Sequence, residues 1–329
     1  MEEGNGKGRV CVTGGSGFLG SWMVMRLLQL GYSVNATIRS HPDRKRDVSY
    51  LTNLPGAKER LHIFKADLDK PESFNQAIEG CIGVFHAAHQ IDFENKESEE
   101  TITQQSINGT LGILQACLNS KTVKRVVYTS SAATVMVDSS SIIDENSWTN
   151  VDLVRTLKPF GGSYAISKTL TEKAALEFAE KNGIDFVTVI PTWIHGPFIT
   201  PQIPGSVRSS MEMILGHQNN AITYPPIVPF VHVDDVTNAH IFLLDYPNAK
   251  GRYICSAVEI TREKLAEFLT TRYPEFQKQI TEYRGTSSEE LKIPSLSPKK
   301  LLETGFKYKY GLEEMFDGAI ECCKQRGIL

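Results

Sequence analysis

The sequence has no long apolar run and no basic stripe with aromatic residues between its charges. No hydrophobic stretch approaches the ~20 residues that span a bilayer, and the formal net charge of the 329 residues is -3. We therefore expect neither a membrane nor a nucleic acid as a partner. The first ten residues, MEEGNGKGRV, are acidic and glycine-rich, which is not the pattern of a secretory signal.

Cysteine is sparse, and metal-binding patterns are missing. The six cysteines include no C-x-x-C pair, which argues against a zinc site or a thioredoxin-like motif. No group of His, Cys and carboxylate residues has metal-ligand spacing, so we expect no metal. We interpret the cysteines as reduced thiols of a cytoplasmic protein. No apolar helical stripe is left over for pairing with a second copy, so we expect a monomer.

The sequence does have a regular alternation of apolar, strand-like runs with amphipathic, helix-like stretches as far as Pro191. Such strands are buried on both faces and lie parallel. The repeated units predict an α/β fold with a doubly wound parallel sheet and helices on both faces. After Pro191 the alternation stops, and residues 192–230 contain six prolines. We predict a sheet domain over residues 1–191 with a return segment near 228–258, and a smaller, mainly substrate-binding lobe over 192–329.

The segment VTGGSGFLG joins the first predicted strand to the first predicted helix. Gly14, Gly17 and Gly20 fit the spacing G-x-x-G-x-x-G, and Gly15 with the last two fits G-x-G-x-x-G. Glycine allows a tight turn and a close approach of backbone to a pyrophosphate, while the helix N-terminus supplies N–H donors. With a strand before it and a helix after it, the pattern predicts a dinucleotide-binding turn of the Rossmann type. The other predicted cofactor contacts in this turn are Ser16, Phe18 and Leu19.

The second predicted strand ends in basic residues. Arg39 lies 19 residues after Gly20, and Arg44, Lys45 and Arg46 follow it. An acidic residue at this strand end would bind the 2′-hydroxyl of NAD, whereas guanidinium groups bind phosphate bidentately. We therefore predict NADP(H) as the cofactor, bound through Arg39, Lys45 and Arg46. The alternative for residues 44–46 is a solvated charged loop.

Two further strand ends are predicted to face the cofactor. Asp67 and Leu68 end the third strand and suit the adenine edge. Ala87 and Ala88 end the fourth strand, where small side chains would let the cofactor lie close.

The spacing Tyr-x-x-x-Lys occurs twice, at Tyr164 and Lys168 and at Tyr246 and Lys250. Pro247 follows the second tyrosine and disfavours a helical conformation there, so that pair should not share a helix face. The first pair lies in a proline-free stretch of good helix formers, where residues four apart face the same way. The sequence therefore predicts that Tyr164 and Lys168 lie together at the nucleotide-binding sheet.

This pair suits the reduction of a carbonyl group. The resulting oxyanion needs a proton, and a free phenol with a pKa near ~10 is too weak an acid at neutral pH. We expect the ammonium of Lys168 to lower the pKa of Tyr164 and also to bind the nicotinamide ribose. The segment YTSSAAT at the end of the fifth strand supplies Ser130 and Ser131, either of which could hold the carbonyl oxygen.

The glycine turn, YTSSAAT, the Tyr164–Lys168 spacing, IPTWIHGPF and FVHVDDV together resemble the extended short-chain dehydrogenase/reductases. KRDVSYLTNLPGA, KTVKRVVYTSS, GRYICS and CCKQRGIL resemble, more narrowly, the plant dihydroflavonol reductase group. The resemblance covers essentially the whole chain and implies a catalytic triad of Ser131, Tyr164 and Lys168. It also implies further cofactor contacts, at Thr129, Ser130, Pro191, Ile194 and Ser206.

The sequence departs from this group around the predicted substrate pocket. Met136 stands where relatives have an asparagine that binds a flavonoid hydroxyl, and His89 and Gln90 follow the fourth strand. We expect these residues, with Ser131, Tyr164 and Ile227, to contact the substrate. His195 is expected to be a packing residue and His232 a hydrogen-bonded neighbour of the site.

The resemblance implies an NADPH-dependent reductase that transfers hydride to a ring carbonyl of a plant phenolic, isoflavanone-like or dihydroflavonol-like. One alternative is the same chemistry on an alkaloid or terpenoid carbonyl, alcohol or hemiacetal, including the oxidising direction. Another is an NADP-binding sensor without catalysis. A sugar-nucleotide epimerase is disfavoured, because such enzymes usually hold NAD and Arg39 argues against NAD.

Overall fold

The computed structural model describes residues 7–39, 47–89, 97–136, 142–159, 161–216, 224–283 and 295–329. Within these ranges the fold consists of a large parallel sheet with helices on both faces and a smaller lobe built on a second sheet. No described helix is both long enough and apolar enough to cross a membrane.

Twelve strands are present in the described residues. They are β1 (Arg9–Thr13), β2 (Ser33–Ile38), β3 (Leu61–Lys65), β4 (Gly83–His86), β5 (Arg125–Thr129), β6 (Ile142–Ile143), β7 (Phe186–Pro191), β8 (Trp193–His195), β9 (Ile227–His232), β10 (Gly251–Cys255), β11 (Val258–Thr261) and β12 (Ser295–Leu296). Seven of them form the central sheet in the order β10-β7-β5-β4-β1-β2-β3, and every neighbouring pair is parallel. The predicted doubly wound parallel sheet is confirmed.

Fourteen α-helices occur in the same ranges. They are α1 (Phe18–Gln29), α2 (Ser49–Thr52), α3 (Ala57–Arg60), α4 (Asn75–Ile78), α5 (Glu99–Ser120), α6 (Val151–Leu157), α7 (Gly162–Asn182), α8 (Gly205–Ser210), α9 (Glu212–Leu215), α10 (Val233–Asp245), α11 (Arg262–Arg272), α12 (Gln277–Tyr283), α13 (Lys299–Glu303) and α14 (Leu312–Gln325). Short 3-10 turns cover Pro71–Phe74, Ala132–Thr134 and Pro274–Phe276.

The central sheet is buried on both faces, as expected for parallel strands rich in valine and isoleucine. Helices α1 and α10 pack on one face and share a core with β1, β2 and β7. Helices α4, α5 and α7 contribute to a second core on the other face. This layering leaves the carboxyl ends of the strands as the open edge, where ligands bind in folds of this architecture.

The C-terminal lobe has its own core. β8, β9 and β11 form a three-stranded sheet, and residues of α8, α9, α11, α12 and α14 pack against it. Within the predicted return segment, β10 joins the central sheet at its edge, whereas β9 belongs to the smaller sheet. The division into a cofactor domain and a substrate lobe stays a prediction.

Candidate active site

A cleft of about 340 Å³ opens where β1 turns into α1. It brings together residues from the ends of four strands that are far apart in the chain. Those predicted from the sequence are Gly14, Ser16, Gly17, Phe18, Leu19, Gly20, Arg39, Leu68, Ala87, Ala88 and His89, and those not predicted are Thr37, Ala66 and Phe74.

The glycine turn leaves no room for side chains. Gly14 adopts a φ of +70°, and a Cβ there would lie 3.1 Å from the backbone of Ala88. A Cβ on Gly20 would lie 2.2 Å from the carbonyl oxygen of Gly14. Backbone therefore lies at the floor of the cleft, and α1 begins directly behind it at Phe18. A turn of this shape at a helix N-terminus fits a pyrophosphate.

The basic end of β2 lies at the mouth of the same cleft. Arg39 Nε is 3.7 Å from Asp67 Oδ1, and the Arg39 side chain is 49% exposed. A pair this exposed is weak, so the guanidinium is available to a phosphate. The donor set therefore fits an NADP-type dinucleotide. Arg44, Lys45 and Arg46 lie outside the described residues, as does Gln90.

Ser131 and Tyr164 come from different elements, and the Ser131 side chain acts to lower the pKa of the Tyr164 phenol. Ser131 follows β5 at the N-terminus of a 3-10 turn, where its Oγ also accepts from the N–H of Ala133 at 3.2 Å. Tyr164 lies in the first turn of α7, which begins after Gly161 in the left-handed region (φ +74°). The imidazole of His89 packs edge-on against the Tyr164 ring, with 5.7 Å between the centroids.

Lys168 lies one turn after Tyr164 on α7, and its side chain is buried. Its Nζ donates to the carbonyl oxygen of Thr129 at 2.8 Å and contacts the Tyr128 hydroxyl at 3.4 Å. Burial lowers the pKa of Lys168 to about 7, and the carboxylate of Glu172 partly opposes that shift. The ammonium is thus held at the end of β5, between the sheet and α7.

The expected low pKa of Tyr164 is wrong for this structure. Burial raises the pKa of the Tyr164 phenol, and the hydrogen bond with Ser131 offsets only part of that increase. The described hydrogen bonds of the Lys168 ammonium are with Thr129 and Tyr128, and the side chain that lowers the pKa of Tyr164 is Ser131.

Ser130 and Ser131 are adjacent but differ in their partners. Ser130 is buried, and its Oγ donates to Glu172 Oε2 at 2.6 Å. Ser130 therefore binds a buried carboxylate, whereas Ser131 acts on the pKa of Tyr164; the residue pattern alone did not distinguish the two serines. Thr129 Oγ1 is paired with His240 Nε2 at 2.8 Å.

The remaining predicted contacts lie beyond the lining of this cleft in the described chain. Pro191 ends β7 next to Cys255, and Ile194 lies in β8. Ser206, in α8, accepts a hydrogen bond at its carbonyl oxygen from Trp193 Nε1 at 3.0 Å. Met136 packs against a small apolar cluster, and Ile227 begins β9. Their contact with a cofactor or substrate stays a prediction.

The histidines near the site differ in role. His195 is buried, bonds Ser210 Oγ through Nδ1 at 2.7 Å and packs against Phe316, in line with the expected packing role. His232 accepts from the N–H of Asp234 and caps α10. The Nε2 of His89 is buried and has no hydrogen-bond partner among the described residues, and burial holds the pKa of His89 well below its usual range.

Three residues that line the cleft are not predicted from the sequence. Thr37 Oγ1 accepts from the N–H of Gly14 at 3.3 Å, and Phe74 and Ala66 line the opposite wall. Thr37 lies only two residues before Arg39, so its position at the end of β2 was the available signal. Phe74 comes from a 3-10 turn, and no sequence pattern indicates its position.

The parallel sheet, the glycine turn and the Tyr–Lys pair at one sheet edge define a dinucleotide-binding protein of the Rossmann class. The model of the NAD dependent epimerase/dehydratase family matches residues 10–255. The chain belongs to this family.

Individual relatives cover the chain from end to end. It is 51% identical to vestitone reductase of Medicago sativa, over 98% of this chain and 99% of that protein. It is 46% identical to dihydroflavonol 4-reductase of Callistephus chinensis, over 97% of this chain and 87% of that protein. The predicted family and the predicted oxidoreductase class are confirmed.

Solved structures give the same fold. The crystal structure of vestitone reductase from alfalfa superposes with a TM-score of 0.87 at 49% identity, covering 98% of this chain and all of that one. The yeast methylglyoxal/isovaleraldehyde reductase Gre2, complexed with NADPH, superposes with a TM-score of 0.80 over 98% of this chain and all of that one. At 24% identity, Gre2 is similar in fold.

Proposed function

We propose that this protein is an NADPH-dependent reductase that transfers hydride to a ring carbonyl of a plant phenolic, isoflavanone-like or dihydroflavonol-like. The observation that carries the proposal is the placement of Tyr164 and the buried Lys168 one turn apart on α7, with Lys168 Nζ bonded to the carbonyl oxygen of Thr129 at the strand end just before Ser131. The relatives' names supply the substrate class, since vestitone and dihydroflavonols are phenolic ketones.

The cofactor assignment rests on the cleft beside β1 and β2. The backbone of the glycine turn would bind the pyrophosphate, and Arg39 would bind the 2′-phosphate as a bidentate donor. Lys45 and Arg46 would add positive charge on the same side. Ala87 and Ala88 would let the dinucleotide lie against the end of β4. A neighbouring fold binds NADPH, which agrees with this assignment.

When bound, NADPH supplies the hydride that reduces the carbonyl carbon. Ser131 would orient the carbonyl oxygen by donating a hydrogen bond, and Tyr164 would donate the proton to that oxygen as its charge develops. Lys168 would bind the nicotinamide ribose and stabilise the phenolate that Tyr164 becomes. The nicotinamide side of the cofactor site would be lined by Pro191, Ile194 and Ser206.

The raised pKa of Tyr164, which results from desolvation, has a role in this scheme. A phenol with a raised pKa stays protonated over the whole working range, so the proton is present when the substrate binds. Proton donation then depends on Lys168 carrying its charge when the phenolate forms. The pair therefore works as a unit, with Tyr164 as the acid and Lys168 as its counter-charge.

A second substrate class is supported by Met136. Its side chain packs against the apolar cluster around Val135 and Ile143 and offers no hydrogen-bond donor to a hydroxylated ring. The same residues could then act on an alkaloid or terpenoid carbonyl, alcohol or hemiacetal, in the reducing or the oxidising direction. We also place the protein in the cytoplasm, in line with its six free thiols. We expect a monomer, because the sequence leaves no apolar helical stripe for pairing with a second copy.

The test is NADPH consumption against a carbonyl panel of isoflavanones, dihydroflavonols, anthocyanidins, cinnamaldehydes and cyclic alkaloid ketones. We expect the fastest turnover with an isoflavanone or a dihydroflavonol. Turnover of an alkaloid or terpenoid ketone with none on phenolics would support the second class. No NADPH oxidation with any carbonyl, and no NADP+ reduction with the matching alcohols, would contradict both and favour a sensor.

A further inference from the structure

A buried ion pair lies directly behind the Ser-Tyr-Lys group. Glu172 follows Lys168 by one turn on α7, and its side chain has no exposed surface; Arg252 comes from β10 and is 6% exposed. Arg252 Nε lies 2.9 Å from Glu172 Oε1, and Nη2 lies 3.4 Å from Oε2. The pair links the last strand of the central sheet to the helix that carries Tyr164.

Every donor of this guanidinium is used. Arginine has five N–H donors in a fixed plane, and two of them bind Glu172. The other three bind the carbonyl oxygens of Glu145 (2.9 Å) and Ser147 (2.7 Å) and Oγ1 of Thr134 (3.0 Å). The plane also stacks on Trp148, 3.6 Å from its ring centroid. Five satisfied donors and a stacked face fix the orientation of Arg252.

Two branches of this network reach the turn that carries Ser131. Ser130 Oγ donates to Glu172 Oε2 at 2.6 Å. Thr134 Oγ1, which accepts from Arg252, donates to the carbonyl oxygen of Ser131 at 3.0 Å. The turn is therefore held on both sides of Ser131, by one bond to each member of the ion pair.

A third branch is electrostatic and reaches Lys168. The carboxylate of Glu172 opposes the desolvation that lowers the pKa of Lys168. The other titratable groups facing Lys168 are Tyr128, whose hydroxyl contacts Nζ, and His86 and His89, whose pKa values burial holds below the usual range. Glu172 is thus the carboxylate that supports the ammonium of Lys168 from the described residues.

We propose that Glu172 and Arg252 are positioning residues for the reduction. They fix the Ser131 turn against α7 and place a carboxylate beside the ammonium of Lys168. A buried ion pair adds little net stability, because desolvation of both charges offsets their attraction. The contribution that we propose for the ion pair is geometric, because it holds the turn after β5 that carries Ser131 and the helix α7 that carries Tyr164 and Lys168 in one arrangement. This inference rests on the proposed function of the triad.

The test compares Glu172→Gln, which keeps the shape and removes the charge, with Arg252→Lys, which keeps the charge and removes the planar fork. For Glu172→Gln we expect kcat/KM to fall ~10- to 100-fold, the size of effect that a small misplacement of reacting groups produces. The Kd for NADPH should change little. The alkaline limb of the kcat/KM profile should move to lower pH, because Lys168 would lose its proton earlier.

Arg252→Lys tests the geometric branch alone. It should lower kcat without moving the titration of Lys168, because Glu172 keeps its charge. Equal kcat in the wild type and in both variants, with an unmoved pH profile, would overturn the proposal.

Asp185→Asn provides the matched control. Asp185 pairs with Arg125 at the other end of β5, at 2.8 and 3.0 Å, and Arg125 also donates to three backbone carbonyls. This variant should lower the melting temperature without moving the pH profile. An equal shift of the profile in Asp185→Asn would show that the effect is only structural and would also overturn the proposal.

A second readout needs no substrate. The pKa of Lys168 can be followed in 13C-lysine-labelled protein from its Cε chemical shift, assigned with Lys168→Met. It should fall in Glu172→Gln and stay unchanged in Asp185→Asn. If the wild type reduces no carbonyl, the proposed function fails while this titration still tests the support of Lys168 by Glu172. An unchanged titration in Glu172→Gln would overturn that support whatever the activity.

Discussion

The chain contains the spacing Tyr-x-x-x-Lys twice, and the two copies adopt different local structures. Tyr164 and Lys168 lie one turn apart on α7, with Lys168 buried at the end of β5. Tyr246 follows α10 in an extended conformation (φ -70°, ψ 114°), and Lys250 is exposed. The same four-residue spacing thus gives a shared helix face in one region and a loop in the other.

The difference shows which structural features a Tyr-x-x-x-Lys spacing needs to bring the two side chains together. Pro247 disfavours the helical conformation at Tyr246, and the ring of Tyr246 stacks on Phe242, with 5.3 Å between the centroids. Its carbonyl oxygen accepts from Arg125 at 2.7 Å. In α7 no proline intervenes, and desolvation shifts the pKa values of both Tyr164 and Lys168. A continuous helix, a strand end and burial are needed together.

A large effect is expected from Lys168→Met. Removing the ammonium takes away the counter-charge for Tyr164 and should lower kcat by ~100-fold or more. Lys250→Met is the matched control and should leave kcat unchanged, because Lys250 is exposed, precedes the amino end of β10 and is not among the residues that line the cleft. Steady-state kinetics and melting temperatures for both variants provide the measurement, and equal kcat values would remove Lys168 from the mechanism.

A smaller effect is expected at the cofactor end. Arg39→Ala should lower the preference for NADPH over NADH by ~10- to 100-fold, because a hydrogen bond to a charged group contributes ~1.5–3 kcal/mol. Arg155 has nearly the same exposure, 47%, and pairs with Glu99 away from the glycine turn. Arg155→Ala should leave the preference unchanged. The measurement is the ratio of kcat/KM for NADPH to kcat/KM for NADH in each variant. An unaltered ratio in Arg39→Ala would contradict the role of Arg39.

Much of the nucleotide-binding half was predictable from local pattern. The glycine turn, the strand ends at Arg39 and Ala88, and a helix from about 163 to 182 follow from periodicity, and the observed helix is Gly162–Asn182. These features depend on neighbouring residues, so the sequence carries them directly.

The rest depends on tertiary packing. Glu172 and Arg252 are 80 residues apart and meet only because β10 returns to the edge of the central sheet. The pKa of Tyr164 was expected to be lowered and is raised, because burial depends on the whole fold. Phe74 enters the cleft from a 3-10 turn whose position depends on packing.

The most direct test of the central claim is turnover of Tyr164→Phe beside Tyr246→Phe, at saturating NADPH and with the best carbonyl substrate. Each variant removes a single hydroxyl from a tyrosine of the same spacing. We predict that Tyr164→Phe loses ~100- to 10,000-fold in kcat while it still binds NADPH, and that Tyr246→Phe matches the wild type. Wild-type turnover by Tyr164→Phe would contradict the account.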